Sequence, residues 1–154
     1  MGLPQTSLTQ PVVDSAGRVY VAWTGTAGGG LAVKLARVVA SGPRAATVLS
    51  AGVPGAALND VAAGPGGALL VSWSVQRPAS SVVYASLRRG GFAFAAPQQL
   101  TPDSARGFGV SRAAIAPSTG EAIVTWSHSL PDGGHAEASV NAPVGQSRSR
   151  RARR

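Results

Sequence analysis

Apolar positions alternate through GRVYVAW (Gly17–Trp23), placing Val19, Val21 and Trp23 on one face of an extended chain and Tyr20 and Ala22 on the other. A period of two predicts a strand. The outline returns as GALLVSW at Gly67–Trp73 and as GEAIVTW at Gly120–Trp126, with Gly six residues before Trp each time. The tryptophans are spaced by 50 and 53 residues. A short apolar run precedes each Gly: PVVD (Pro11–Asp14), DVAAG (Asp60–Gly64) and AAIAP (Ala113–Pro117). Turn residues, DSAG, GPGG and PSTG, join run to Gly. Each copy therefore predicts a hairpin whose second arm ends in Trp. Gly17, Gly67 and Gly120 become turn positions, and Trp23, Trp73 and Trp126 become repeated core anchors.

The copies also agree beyond Trp. A Gly-, Ser- or Pro-rich stretch follows (TGTAGGG, SVQRPAS, SHSLPDGG) and reads as a loop. Third strands are expected at Leu31–Val39, Ser81–Arg89 and His135–Ala142. In two copies a fourth segment ends in Leu plus a hydroxyl, at Leu49–Ser50 and Leu100–Thr101, and Ser7–Thr9 has the same ending. From Val19, Leu69 and Ala122 to the Trp, no copy has a charged residue, so the second strand is expected to be buried on both faces. Small residues at Ala22, Ser72 and Thr125 would let neighbouring sheets approach closely.

A repeated antiparallel unit of about 50 residues with four strands predicts an all-β partial β-propeller of about three blades. The blades fall at about 10–50, 59–101 and 110–142 within a repeat region 1–142, and the third is incomplete. Residues 143–154 read as a disordered basic tail. Propellers typically use four to eight blades. Three blades are thus expected to be a fragment, a unit that closes by oligomerising, or a truncated reading frame.

The recurring apolar strand, D/P-x-x-G turn and Trp-ended strand resemble bacterial secreted β-propeller repeats, loosely the sialidase-like or BNR-type group. The resemblance covers Ser7 to about Ala142 and implies secretion; because the tryptophans recur at one repeat position, any binding site is expected in the unlike loops TGTAGGG, SVQRPAS and SHSLPDGGHA instead. Catalysis of the sialidase kind is not expected. The Asp-box pattern is absent, because Asp14 lies three residues before Gly17, Trp23 lies six after it, and the other copies lack the Asp. The arginine triad and Tyr/Glu pair that such an enzyme needs cannot be assembled from these residues.

Composition narrows the classes. Only 13% of residues are charged, against roughly 25% in ordinary domains. Twenty Gly and eleven Pro favour short strands and turns over long helices. With no Cys, disulfides and thiolate metal sites are excluded. The first residues, MGLPQTSLTQ, lack a basic start and apolar core, so no signal peptide is expected, and no apolar run predicts a membrane helix. The net charge is +8, but Arg148, Arg150, Arg151, Arg153 and Arg154 supply five of it. That tail could hold polyanions without sequence preference, and no nucleic-acid partner is expected for the body.

Six carboxylates, Asp14, Asp60, Asp103, Glu121, Asp132 and Glu137, mostly sit in or beside predicted turns. His128 and His135 flank one loop without an evident third metal ligand. The glycines of Thr26–Lys34 lack the Lys-Ser/Thr order of a phosphate loop. No cofactor and no catalytic residue is therefore expected. The sequence predicts a non-enzymatic scaffold for a protein or glycan, with self-association through open faces or edges. A glycosidase remnant and polyanion binding by the tail are the alternatives.

Overall fold

A computed structural model describes residues 9–78, 80–102, 110–130 and 133–141; of residues 128–130, 133–137, 140 and 141 it describes the backbone only. The described chain is all-β and contains three open antiparallel sheets. The first holds β1 (Thr9–Val13), β2 (Val19–Ala27), β3 (Gly30–Val39) and the short β4 (Gly42–Pro43) in that order, with β5 (Thr47–Val48) also on β3. The second is β6 (Ala56–Ala63), β7 (Leu69–Gln76), β8 (Ser81–Arg88) and β9 (Gln98–Gln99). The third is β10 (Ser111–Ile115), β11 (Ala122–Leu130) and β12 (Gly133–Asn141). A single 3-10 turn at Pro65–Gly67 is the only helical geometry among the described residues.

The hairpin turns use glycine where the backbone demands it. Gly17, Gly67 and Gly120 have φ of +72°, +81° and +71°, a region that side chains with a Cβ avoid. The expected loop at Thr24–Gly30 is largely strand instead. β2 runs to Ala27, and Ala27 pairs directly with Gly30. Only Gly28 and Gly29 turn, both at positive φ, which is the two-residue hairpin geometry matching strand twist. The second such loop also shortens, since Gln76 already pairs with Ser81. In the third, Leu130 pairs with Gly133, and Pro131 and Asp132 lie outside the described residues.

The Leu-hydroxyl ending has a physical cause. Leu49 and Leu100 are buried and half-buried, and their N–H groups donate to the carbonyls of Val33 and Val83, each at 2.8 Å. The next residue returns the bond: the Val33 N–H donates to Ser50 Oγ at 3.0 Å and the Val83 N–H to Thr101 Oγ1 at 2.9 Å. A buried hydroxyl thus satisfies a third-strand amide that the two-residue strands β5 and β9 are too short to reach. The corresponding Ser7–Leu8 segment lies outside the described residues, while Thr9 opens β1.

The sheets stack in sequence order and with one polarity. The core between the first two joins Tyr20, Ala22, Val33 and Leu35 to Leu69, Val71, Trp73 and Val82. The core between the second and third joins Leu70, Val83 and Ala85 to Ile115, Ala122, Val124 and Trp126. In both, the Trp-bearing face of one sheet lies against the opposite face of the sheet before it. The expectation of second strands buried on both faces therefore holds only for β7, which has neighbours on each side. On β2 the Val19, Val21 and Trp23 face is half-buried, and on β11 Thr125 and Ser127 are exposed. Trp73 is fully buried and Trp126 is 6% exposed, whereas Trp23 is half-buried.

Polar groups on the first strands lock the stack. The Leu58 N–H donates to Thr24 Oγ1 of the preceding sheet at 2.9 Å, freed from the β6–β7 ladder by an irregularity between Leu58 and Asp60. Gln10 Nε2 donates to the Asn59 carbonyl at 3.3 Å. At the matching position of the next sheet, Asp60 accepts from the Ala113 N–H at 2.9 Å. Ser111 Oγ, fully buried, donates to Ser72 Oγ at 2.9 Å and accepts from Asn59 Nδ2 at 3.0 Å. Buried polar atoms need such partners, so these bonds fix how the sheets register on one another.

Candidate functional site

A cluster of charged residues lies at the β1–β2 turn, where the first and second sheets meet. Asp14 is buried and closes this turn. Its carboxylate accepts from the Ala16 and Arg18 N–H groups, each at 3.0 Å, and from Arg18 Nε at 2.7 Å. Burial alone would raise the Asp14 pKa. The bonds from Arg18 and Ala16 outweigh it and hold the carboxyl below its ordinary value. The same ion pair raises the Arg18 pKa, chiefly through the hydrogen bond to Asp14.

Arg18 reaches across to the second sheet, where its guanidinium lies so close to Gly67 that a Cβ there would overlap Nη2. Arg88 approaches Gly67 as well, donating from Nη2 to the carbonyl at 3.1 Å. Its guanidinium lies 4.8 Å from the centre of the Tyr20 ring and 5.5 Å from that of Phe94. Such contacts hold a guanidinium in place through the ring quadrupoles. Arg88 Nε is buried and without a hydrogen-bond partner. Arg37 sits directly across from Tyr20 on β3, hence on the same face, and is exposed. Arg44, also exposed, is tied to it by an N–H to carbonyl bond of 2.8 Å.

Four arginines and one buried aspartate thus share one end of the first two sheets. Because Asp14 is committed to Arg18, the positive charge of Arg37, Arg44 and Arg88 is left without an acidic partner in the cluster. The sequence offered no local sign of this. Residues 18, 37, 44 and 88 occupy unlike positions in the repeat and meet only because the sheets stack.

The residues singled out from sequence have other places. Gly17, Gly67 and Gly120 form the hairpin turns, and the three tryptophans lie on equivalent sheet faces. The indole N–H groups of Trp73 and Trp126 are buried without acceptors, so they offer no ligand platform. Asp60 lies in β6 and is used between sheets. His128 and His135 are directly opposed in the β11–β12 register. Among the described residues no three His, Cys, Asp or Glu come together as metal ligands. Asp103, Asp132 and the tail arginines Arg148, Arg150, Arg151, Arg153 and Arg154 lie outside the described residues.

A cavity of about 50 Å³ opens between the second and third sheets, lined by Leu70, Ala85, Leu87, Ala122, Val124 and Ser139 among others. Small-molecule sites run to about 300–1,000 Å³, so this space suits a water or two rather than a substrate. Neither a family model, nor a curated protein, nor a solved structure matches the chain.

Proposed function

We propose that the chain is a sector of a β-propeller serving as a rigid scaffold, and that it binds an acidic glycan at the arginine-rich end of its first two sheets. One observation carries the scaffold reading: the same stacking step, Trp face onto the opposite face of the preceding sheet, occurs twice in succession. The irregularity at Asn59 and the polar bonds between first strands support it, because they fix one sheet at a set register on the next. The choice of an acidic ligand rests on charge. Arg88 is pre-positioned by two rings, so little ordering of its side chain remains to be done on binding, and Arg37 and Arg44 stand exposed at the same end of the sheets.

Heparin is the test ligand. The Arg37→Glu/Arg44→Glu double variant of the full chain is expected to bind it more weakly by about threefold or more per arginine, with an unchanged circular-dichroism spectrum. Replacing all five tail arginines with serine is expected to leave the salt-dependent, body-borne component in place. If the tail variant loses all retention while the double variant keeps it, the assignment to the sheet ends is wrong.

A further inference from the structure

The first sheet presents the face that is covered in the other two. In the β1–β2 register, Pro11 stands opposite Val21 and Val13 opposite Val19, and Val48 stands opposite Lys34, which itself faces Trp23. All of these side chains therefore share the Trp23 face. Val13 is 58% exposed and Val48 38%, and both rank among the exposed large apolar residues described. The equivalent residues of the second sheet, Leu69, Val71 and Trp73, are wholly buried against the first sheet.

Among the described residues, the complementary face is exposed at the opposite end of the stack. On the third sheet Ala114, Thr125, Ser127 and Ala138 are exposed and Ile123 is half-buried. These occupy the positions of Tyr20, Ala22 and Thr24 in the first sheet, which are buried beneath the second. The bridging position on the first strand is present too. Gln10 and Asp60 each bond to the backbone of the following first strand, and Arg112, their counterpart, stands exposed.

We infer that a second copy of this chain places the outer face of its third sheet on the Trp23 face of the first, and that the return contact closes a head-to-tail dimer. The inference rests on the scaffold reading above and continues its stacking step across two chains. Both halves of the interface are already present on one molecule, which is the condition for a heterologous contact. Two copies bring six sheets together, within the four to eight that close a ring, whereas three copies would bring nine. Closure by two copies also leaves no face open for further growth.

Sedimentation of the full chain at tens of micromolar is expected to give twice the 15.4 kDa chain mass. Val13→Glu and Thr125→Arg alter exposed positions on the two faces, so each variant is expected to keep its strand spectrum and to dissociate at least tenfold more readily. An equimolar mixture of the two variants is expected to recover dimer, since one interface of the mixed pair is wild type on both sides. Loss of dimer in Val13→Glu alone would mean face-to-face pairing and would overturn the proposal. So would a series of growing polymers, or a monomer, whether its Trp23 is open to acrylamide or covered by residues 1–8. A monomer whose Leu58 and Ala113 amides stay protected would end the dimer and leave the stacked scaffold standing. Loss of that protection would end both.

Discussion

Trp73→Ala is expected to destabilise the fold by about 3–5 kcal/mol, a large part of the roughly 5–15 kcal/mol that a domain possesses. Trp73 has no exposed surface, stacks on Tyr84 with ring centres 6.2 Å apart and planes at 11°, and sits in the core shared by the first two sheets. Removing it leaves a void between two sheets that cannot collapse independently. Trp23→Ala removes the same residue from the equivalent place in the repeat and is expected to cost only about 1 kcal/mol. The comparison belongs in the Val13→Glu background, where the proposed partner cannot cover the face. Urea titration of both variants measures the difference. Equal losses would mean that both tryptophans are core residues and that the first sheet has no open face. Trp73→Phe is the informative control. Its indole N–H has no acceptor, so the substitution discards an unsatisfied buried donor and keeps much of the ring.

Gly90→Ala is expected to cost about 2–3 kcal/mol, for a reason unrelated to apolar burial. A Cβ at this position would overlap the Gly66 carbonyl oxygen and lie 2.8 Å from its carbon. Both atoms belong to backbone in the 3-10 turn, which cannot rotate away as a side chain could. Moving that turn also moves the Gly67 carbonyl that receives Arg88, so heparin binding is expected to fall together with stability. Gly91→Ala, one residue on, meets open space and carries only the strain of its φ of +76°, about 1 kcal/mol. Thermal unfolding of the pair separates contact from conformational cost. If Gly91→Ala proves the more damaging, the close approach of the two turns is not what holds this end together.

Much of the architecture can be read from the chain because its cause is local. Glycine at Gly17, Gly67 and Gly120 marks turns since positive φ excludes other residues there, and alternation marks the arms. The hydroxyl of Ser50 and Thr101 follows Leu because an unpaired third-strand amide needs it. What escaped the sequence depends on neighbours. Nothing local separates Trp23 from Trp73; the difference is that a sheet lies over one and not the other. The stretch Thr24–Gly30 reads as a loop by its glycines, yet only two of them turn, and strand pairing claims the rest. Asp60 finds Ala113 across 53 residues of chain, and Arg88 finds Tyr20 across 68, through contacts that exist only once the sheets are stacked.

Amide hydrogen exchange at Leu58 and Ala113 tests that stacking most directly. Each N–H leaves its first strand toward the preceding sheet, where Thr24 Oγ1 and an Asp60 carboxylate oxygen receive it at 2.9 Å. Protection at both, close to that of the central strand β7 and lost at Ala113 alone in Asp60→Ala, is the predicted result. Exchange at both sites as fast as from an uncovered strand edge would contradict it.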